Sequence, residues 1–367
     1  MKRSLFYIVV MGILLLSACD IPIEKDSSNA MNEYTETDLA KSVDETDNSK
    51  VNGEKSGEVK GIMKDTSTEN IQSDKRLSLV LYYQSEKGFL VPVTRRATKQ
   101  EGIAKAAVCG LIDSSINREE LEYFGLYPTL PAGTEVRGLS IKDSTATIDF
   151  NSLILDYESK AEERNIISSV VYTLTEFKTV KNVKMLVNGA LKEKLKFGSD
   201  ISGMLNRENV LVNTEKIHLT KGMVKSDIYF LMDSEAMLSY TLPVSVEYPE
   251  TSDDAKPSKI IELLAKGPEN KELYSEIPRK TRLLGSHREG KVLQLDFDKE
   301  IKSYGGGNAR EKGILNQILY SMKQIDDIEK VKIIIEGKEG SLPEGTEISR
   351  GISIPAEIND YLNSKAN

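Results

Sequence analysis

Any base, nucleophile or soft metal ligand in this 367-residue chain must come from a short roster: two histidines, His218 and His287, and two cysteines, Cys19 and Cys109. His287 falls at an expected hairpin tip and His218 in an expected link, so neither is placed as a catalytic base. Cys109 sits on the apolar side of an expected helix and reads as a small core residue. Asp149-Phe150 and Asp296-Phe297 form the most conspicuous acidic pair. A phenylalanine ending a strand belongs in a core, and an aspartate beside it can satisfy the backbone of a nearby loop. One carboxylate per site is not the pair that acid–base hydrolysis needs. Gly305-Gly306-Gly307 precedes an expected helix, where a phosphate nest is conceivable. No P-loop lysine comes after it, so a flexible loop is the expectation. Pro131 and Pro278, each three residues before a threonine, read as turn residues. Neither G-x-S-x-G nor H-E-x-x-H occurs, and with them go the hydrolase elbow and the zincin helix. The expectation is a chain without a catalytic residue, a cofactor or a metal site, and not an enzyme.

Cys19 has a different chemistry. Lys2 and Arg3 precede an apolar run from Leu5 to Leu16, which ends in Leu16-Ser17-Ala18-Cys19. The run is shorter than the roughly 20 residues that a spanning helix needs, and with its basic start it reads as a signal peptide. The leucine, two small residues and cysteine resemble the lipobox of bacterial lipoproteins. That resemblance implies lipid transfer to the Cys19 sulfur and cleavage before it, leaving residues 1–18 as signal peptide and Cys19 as a palmitate-type anchor to the outer face of the cell membrane. Two acyl chains anchor stably where one is marginal.

Residues 20–75 carry 14 acidic side chains against 7 lysines, with one aromatic, Tyr34. Such a stretch cannot bury enough apolar surface to offset its ordering entropy. It is expected to be a disordered acidic tether. As a flexible coil it would hold the folded part roughly 40 Å from the membrane. The whole chain has a net charge of −8, which argues against a partner held by nucleic-acid phosphates.

The positioning elements appear when the remainder is compared with itself. Leu126 to Val136 is echoed by Leu273 to Leu283, Gly138 by Gly285, and Ala146 to Phe150 by Leu293 to Phe297. Tyr157 answers to Tyr304, Val170 to Leu174 answers to Ile318 to Met322, and Gly198 to Ser202 answers to Gly345 to Ser349. A period this long means tandem domains, not a solenoid. They are expected at 76–217 and 222–365. Each copy reads as two strands, a helix of about ten residues, a hairpin, a longer helix and a closing strand. The strands are Leu77–Tyr83, Leu90–Val93, Val136–Ile141, Ala146–Phe150 and Val183–Val187, with Lys142 to Thr145 at the hairpin tip. The longer helix spans about Ala161 to Lys178, or Arg310 to Gln324. The order ββαββαβ predicts an α+β fold: a two-layer sandwich of one antiparallel or mixed sheet with two helices on one face.

The run Leu126/Pro131/Thr134/Val136/Gly138 with Asp149-Phe150, repeated as Leu273/Pro278/Thr281/Leu283/Gly285 with Asp296-Phe297, resembles the GerMN domain. The second copy departs at Lys280, where the family favours a glycine before the threonine; the first keeps Gly133. The resemblance covers roughly 76–365. It implies tandem GerMN domains similar in fold to ring-building motif domains, and a non-enzymatic role in sporulation and spore germination. The implied setting is the space between mother cell and forespore, the implied partners are proteins of the channel complex joining them, and the implied mode is packing side by side, including self-association into a ring. Two other readings stay open: a lipoprotein that binds peptidoglycan, for which a groove of exposed tyrosines would speak, and an extracytoplasmic hydrolase.

Overall fold

The computed structural model describes residues 76–214, 217 and 220–363. The leader, Cys19, the acidic tether and His218 lie outside these residues.

The first copy begins with a long hairpin, β1 (Arg76–Ser85) and β2 (Leu90–Thr98). Two helices come next, α1 (Ile103–Cys109) and α2 (Ser115–Glu122), then the two-residue strand β3 (Leu126–Tyr127). A second hairpin, β4 (Val136–Lys142) and β5 (Thr145–Phe150), leads to α3 (Lys160–Leu174), β6 (Asn182–Val187) and β7 (Ala190–Leu191). The second copy repeats this plan. It runs β8 (Met223–Asp233), β9 (Ser239–Pro249), α4 (Lys256–Lys266), β10 (Leu283–Glu289), β11 (Val292–Phe297), α5 (Asn308–Met322), β12 (Lys330–Ile335) and β13 (Ile352–Ser353). Nothing like α2 comes after α4. Helix α2 belongs to the first copy alone, capped by Ser114, whose hydroxyl accepts from the Asn117 amide as N-cap serines do.

The mixed α+β class and the ββαββαβ order stand as read. The single sheet of the expected two-layer sandwich does not: each copy divides its strands between two sheets. In the first copy these are β2-β1-β3 and β4-β5-β6-β7. Helix α3 lies between them and packs on both β1 and β6. It is buried without a break from Ile166 to Leu174, and a helix covered on every side needs a layer on each side of it. Strand β6 runs parallel to β5, so α3 is also the crossover that parallel strands require.

Local chemistry explains the second hairpin. Asp143 and Ser144 both take positive φ, 48° and 57°, giving the two-residue turn whose twist matches the strands. The ladder slips between Val136 and Gly138, and again between Leu283 and Gly285. The repeated glycines therefore mark a β-bulge at the same place in both copies. The entry turn survives the loss of glycine at Lys280: the Thr281 amide bonds the Pro278 carbonyl at 2.9 Å, as Thr134 bonds Pro131 at 3.2 Å.

The two copies lie within one compact unit and exchange their tails. Val212, just after the first copy's last turn, pairs with Ser245 on β9 of the second: its amide bonds the Ser245 hydroxyl, and its carbonyl accepts from the Ser245 amide, both at 2.9 Å. Ile358 of the second copy does the same to Thr94 on β2 of the first, at 2.7 and 2.9 Å. The next residue in each tail is an asparagine in the left-handed region, Asn213 at φ 56° and Asn359 at φ 49°, where asparagine is tolerated better than most residues. The Asn213 carboxamide bonds the Leu90 amide and the carbonyls of Leu90 and Pro243. The Asn359 carboxamide bonds the Thr241 amide and the carbonyls of Thr241 and Pro92. Each clamp thus ties its own hairpin to the other copy's hairpin, and the two sets of contacts are reciprocal.

Candidate functional site

Asp149 and Asp296 hold structural positions. Asp149 accepts from the Gly189 amide at 2.7 Å, and Asp296 from the Gly337 amide at 3.0 Å. Each therefore pins the turn after the neighbouring parallel strand, not the loop after its own. Phe150 and Phe297 beside them are fully buried. His287 lies within β10 and is exposed, not at the tip. Cys109 is buried. The triple glycine carries no nest for a phosphate, because the Gly307 amide is taken by the Glu344 carboxylate at 2.6 Å. Among the described residues no group of three or more His, Cys, Asp or Glu is placed to hold a metal ion, and no helix is long and apolar enough to cross a membrane.

A buried carboxylate in each copy escaped the sequence reading. Glu163 in α3 accepts from the Tyr157 hydroxyl at 2.7 Å and from the amides of Phe197 and Ser199 at 2.6 and 2.9 Å. Glu311 in α5 accepts from the Tyr304 hydroxyl at 2.6 Å and from the amides of Glu344 and Thr346 at 2.9 and 3.2 Å. Burial pushes each carboxyl up, but these donors outweigh it and hold both below the usual glutamate range, as several donors to a carboxylate do. The job is mechanical: each latches the loop that comes after the closing strand onto the start of the long helix. The signal was available, since Glu163 and Glu311 keep the repeat spacing, each shortly after a tyrosine already matched.

One constellation has the look of catalysis. The Lys225 side chain is covered, with its Nζ 2.8 Å from the Tyr172 hydroxyl, 2.8 Å from Asp227 Oδ1 and 3.2 Å from the Ser245 hydroxyl. Burial lowers its pKa, opposed by the charge of Asp227. A serine beside a lysine can serve acyl transfer when the lysine takes the hydroxyl proton. Here Ser245 donates to Asp227 Oδ1 at 2.8 Å and accepts from the Val212 amide. Its proton points at the carboxylate, and its lone pairs hold a tail. The group is a seam contact between the copies.

A second buried group lies in the same seam. Glu176, one residue past the C-cap of α3, accepts from Arg207 at 2.6 Å, from Lys323 of the second copy at 2.8 Å and from the Tyr82 hydroxyl at 3.1 Å. Burial raises its pKa, but the two cations outweigh this and hold it at about 2. The Arg207 guanidinium also lies 4.6 Å from the centre of the Tyr172 ring. Beside this seam opens a cleft of about 910 Å³, lined from one copy by Phe89, Asn165 and Ser168 and from the other by Val246, Glu247 and Tyr248.

The outer surfaces of the copies differ. Among the described residues eleven large apolar side chains are exposed; nine belong to the first copy, and only Met237 and Leu284 to the second. Aligned positions make the contrast direct. Ile141, Leu153, Leu191 and Phe197 are exposed in the first copy; Arg288, Glu300, Glu339 and Glu344 stand there in the second. Phe197 lies beside Tyr157, their ring centres 6.0 Å apart.

The family model described as Germane, sporulation and spore germination, matches residues 80–193 and 227–341. The spore germination protein GerM of Bacillus subtilis (strain 168) is 29% identical over 298 residues, covering 78% of this chain and 80% of that protein. The solved structure of the tandem GerMN domains of the B. subtilis sporulation protein GerM superposes with a TM-score of 0.68 at 26% identity, covering 78% of this chain and 99% of that one.

Proposed function

Because the chain belongs to the Germane family of sporulation and spore germination, we propose that it is a non-enzymatic, lipid-anchored assembly protein of the spore-forming cell. In this reading the Cys19 sulfur carries the lipid, residues 20–75 are the tether, and the paired copies stand on the outer face of the membrane between mother cell and forespore. There they hold or assemble the channel complex, through contacts with its proteins or with further copies arranged in a ring.

One observation carries the reading: the copies agree inside and differ outside, with exposed apolar side chains gathered on the first. The centres of contact surfaces are depleted in charge and enriched in aromatic side chains, which suits Phe197, Tyr123 and Tyr127 of the first copy. The second copy and the interlocked seam then serve as a rigid mount. The peptidoglycan reading asked for a groove of exposed tyrosines. Among the described residues lining the seam cleft the tyrosine is Tyr248, and it is buried.

The test exchanges residues between copies. Leu153→Glu with Phe197→Glu places in the first copy what the second already carries in the same fold. Sporulation should fall at normal protein level, while Glu300→Leu should leave it unchanged. Full sporulation with the first pair would sink the proposed contact surface. Acyl labelling of a Cys19→Ser variant tests the anchor separately: label retained on that variant would refute it.

A further inference from the structure

The turn between β6 and β7 consists of Asn188 and Gly189, both exposed, with φ of 52° and 75°. An asparagine before a glycine is the dipeptide most open to self-attack, since glycine offers no side chain to shield its amide nitrogen. Space around Gly189 is open: a Cβ built there would meet nothing within 4 Å. The Asn188 amide donates to the Phe150 carbonyl at 2.8 Å, and two further bonds restrain the pair. The Gly189 amide donates to Asp149 Oδ1 at 2.7 Å, and Arg137 donates to the Asn188 side-chain oxygen at 2.9 Å. In the second copy the turn is Glu336-Gly337, with the Gly337 amide held by Asp296 in the same manner. A glutamate there has no amide to lose.

We propose that Asn188-Gly189 is a deamidation site of the first copy, and that Asp149 is the residue that holds the reaction in check. The Gly189 nitrogen gives its proton to hydroxide and attacks the Asn188 side-chain carbonyl carbon. The new carbon–nitrogen bond closes a succinimide, while the carbon to Nδ2 bond breaks and ammonia leaves with a proton from water. A second water opens the ring to aspartate or isoaspartate, so one water is consumed and one ammonia released overall. The attacking species is the ionised amide. A carboxylate that accepts this N–H binds the neutral amide and repels its anion, so it lowers the reactive fraction. It also holds the nitrogen in the turn. Isoaspartate would add a backbone atom to a two-residue turn and place a new charge beside Asp149. The loop freed by that change is the one latched by Glu163.

The test incubates the full chain at mildly alkaline pH and tracks amide loss and isoaspartate by peptide mass spectrometry. Asn52-Gly53, elsewhere in the same chain, serves as an internal clock for solution conditions. Asp149→Asn should speed loss at Asn188 by about tenfold, the effect of one pK unit on the ionised fraction, with the Asn52 rate unchanged. Gly189→Ala should slow it in both backgrounds. Because Asp149→Asn can also loosen the fold, the same chemistry is transplanted: Glu336→Asn should deamidate slowly above Asp296, and about tenfold faster once Asp296→Asn is added. Equal rates with and without the aspartate in both copies would overturn the proposal, as would Asn188 remaining intact in the Asp149→Asn chain while Asn52 reacts.

Discussion

The two copies share a skeleton and differ in skin. Inside, Phe150 and Phe297, Glu163 and Glu311, Asp149 and Asp296, and the clamps Asn213 and Asn359 make the same contacts in each half. Outside, an exposed isoleucine, leucines and phenylalanine of the first copy face an arginine and glutamates in the second. The seam breaks the symmetry as well: Glu176 of the first half is met by Lys323 of the second, and the matching position in the second half is Gln324. A contact kept in both halves is one the fold demands. A side chain changed on one half is free for a partner or for the other half.

The largest expected effect tests the two carboxylate latches. Glu163→Ala and Glu311→Ala each strand two amides and a tyrosine hydroxyl, for about 3 kcal/mol apiece, read by urea unfolding of the full chain. The asymmetric seam comes next. Arg207→Ala would leave Glu176 with one cation fewer and two tyrosine rings uncovered. It should cost about 2 kcal/mol, less than the loss of a partner in a fully buried pair because the Arg207 side chain is 30% exposed and Lys323 remains on the glutamate, read in the same way.

Acid gives an independent view of the same carboxylate. Its folded pKa of about 2 lies below the ordinary 4.5, so the stability it adds is present above pH 4.5 and drains away as the pH falls from there toward 2. The shift corresponds to roughly 3 kcal/mol at neutral pH. The lowered pKa values of Glu163 and Glu311 give acid losses of the same sign in each half. The Arg207→Ala chain should show a visibly flatter pH profile in this window.

Symmetric contacts should cost the same in both halves, the clamps as well as the latches. Asn213→Asp and Asn359→Asp each lose two donated bonds, one to the asparagine's own hairpin and one across the seam, for about 2 kcal/mol apiece. Unequal costs within either pair would show that the halves are not mechanical equals. The smallest effect belongs to the surface: the glutamate exchanges at Leu153 and Phe197, which are 44% and 37% exposed, should each cost no more than about 1 kcal/mol while altering sporulation.

Much of the fold was legible in the chain because it is local. The alternation of Ala146-Thr147-Ile148-Asp149-Phe150 marks a half-buried strand, and β5 spans Thr145–Phe150. The structural reading of the Asp-Phe pairs held too, although the turn each aspartate pins lies on the neighbouring strand. What stayed hidden is non-local. Val212 and Ile358 sit in stretches without period, and their partners lie on the opposite copy. The division into two sheets depends on α3 being buried on all sides, and its serines and threonine, Ser168, Ser169 and Thr173, disguise that in the sequence. Helix α2 was passed over because it is short and carries charge on most of its surface. Cys19 and the tether lie outside the described residues, and their roles rest on the lipobox and on composition.

The central claim is that the two halves form one body, clamped by exchanged tails, and not two beads on a string. Calorimetry of the chain from residue 20 onward tests it directly. One transition, with its calorimetric enthalpy equal to the van't Hoff value, and its midpoint lowered as a unit by Asn359→Asp, is the predicted result. Two separable transitions, with Asn359→Asp shifting only one of them, would contradict the account.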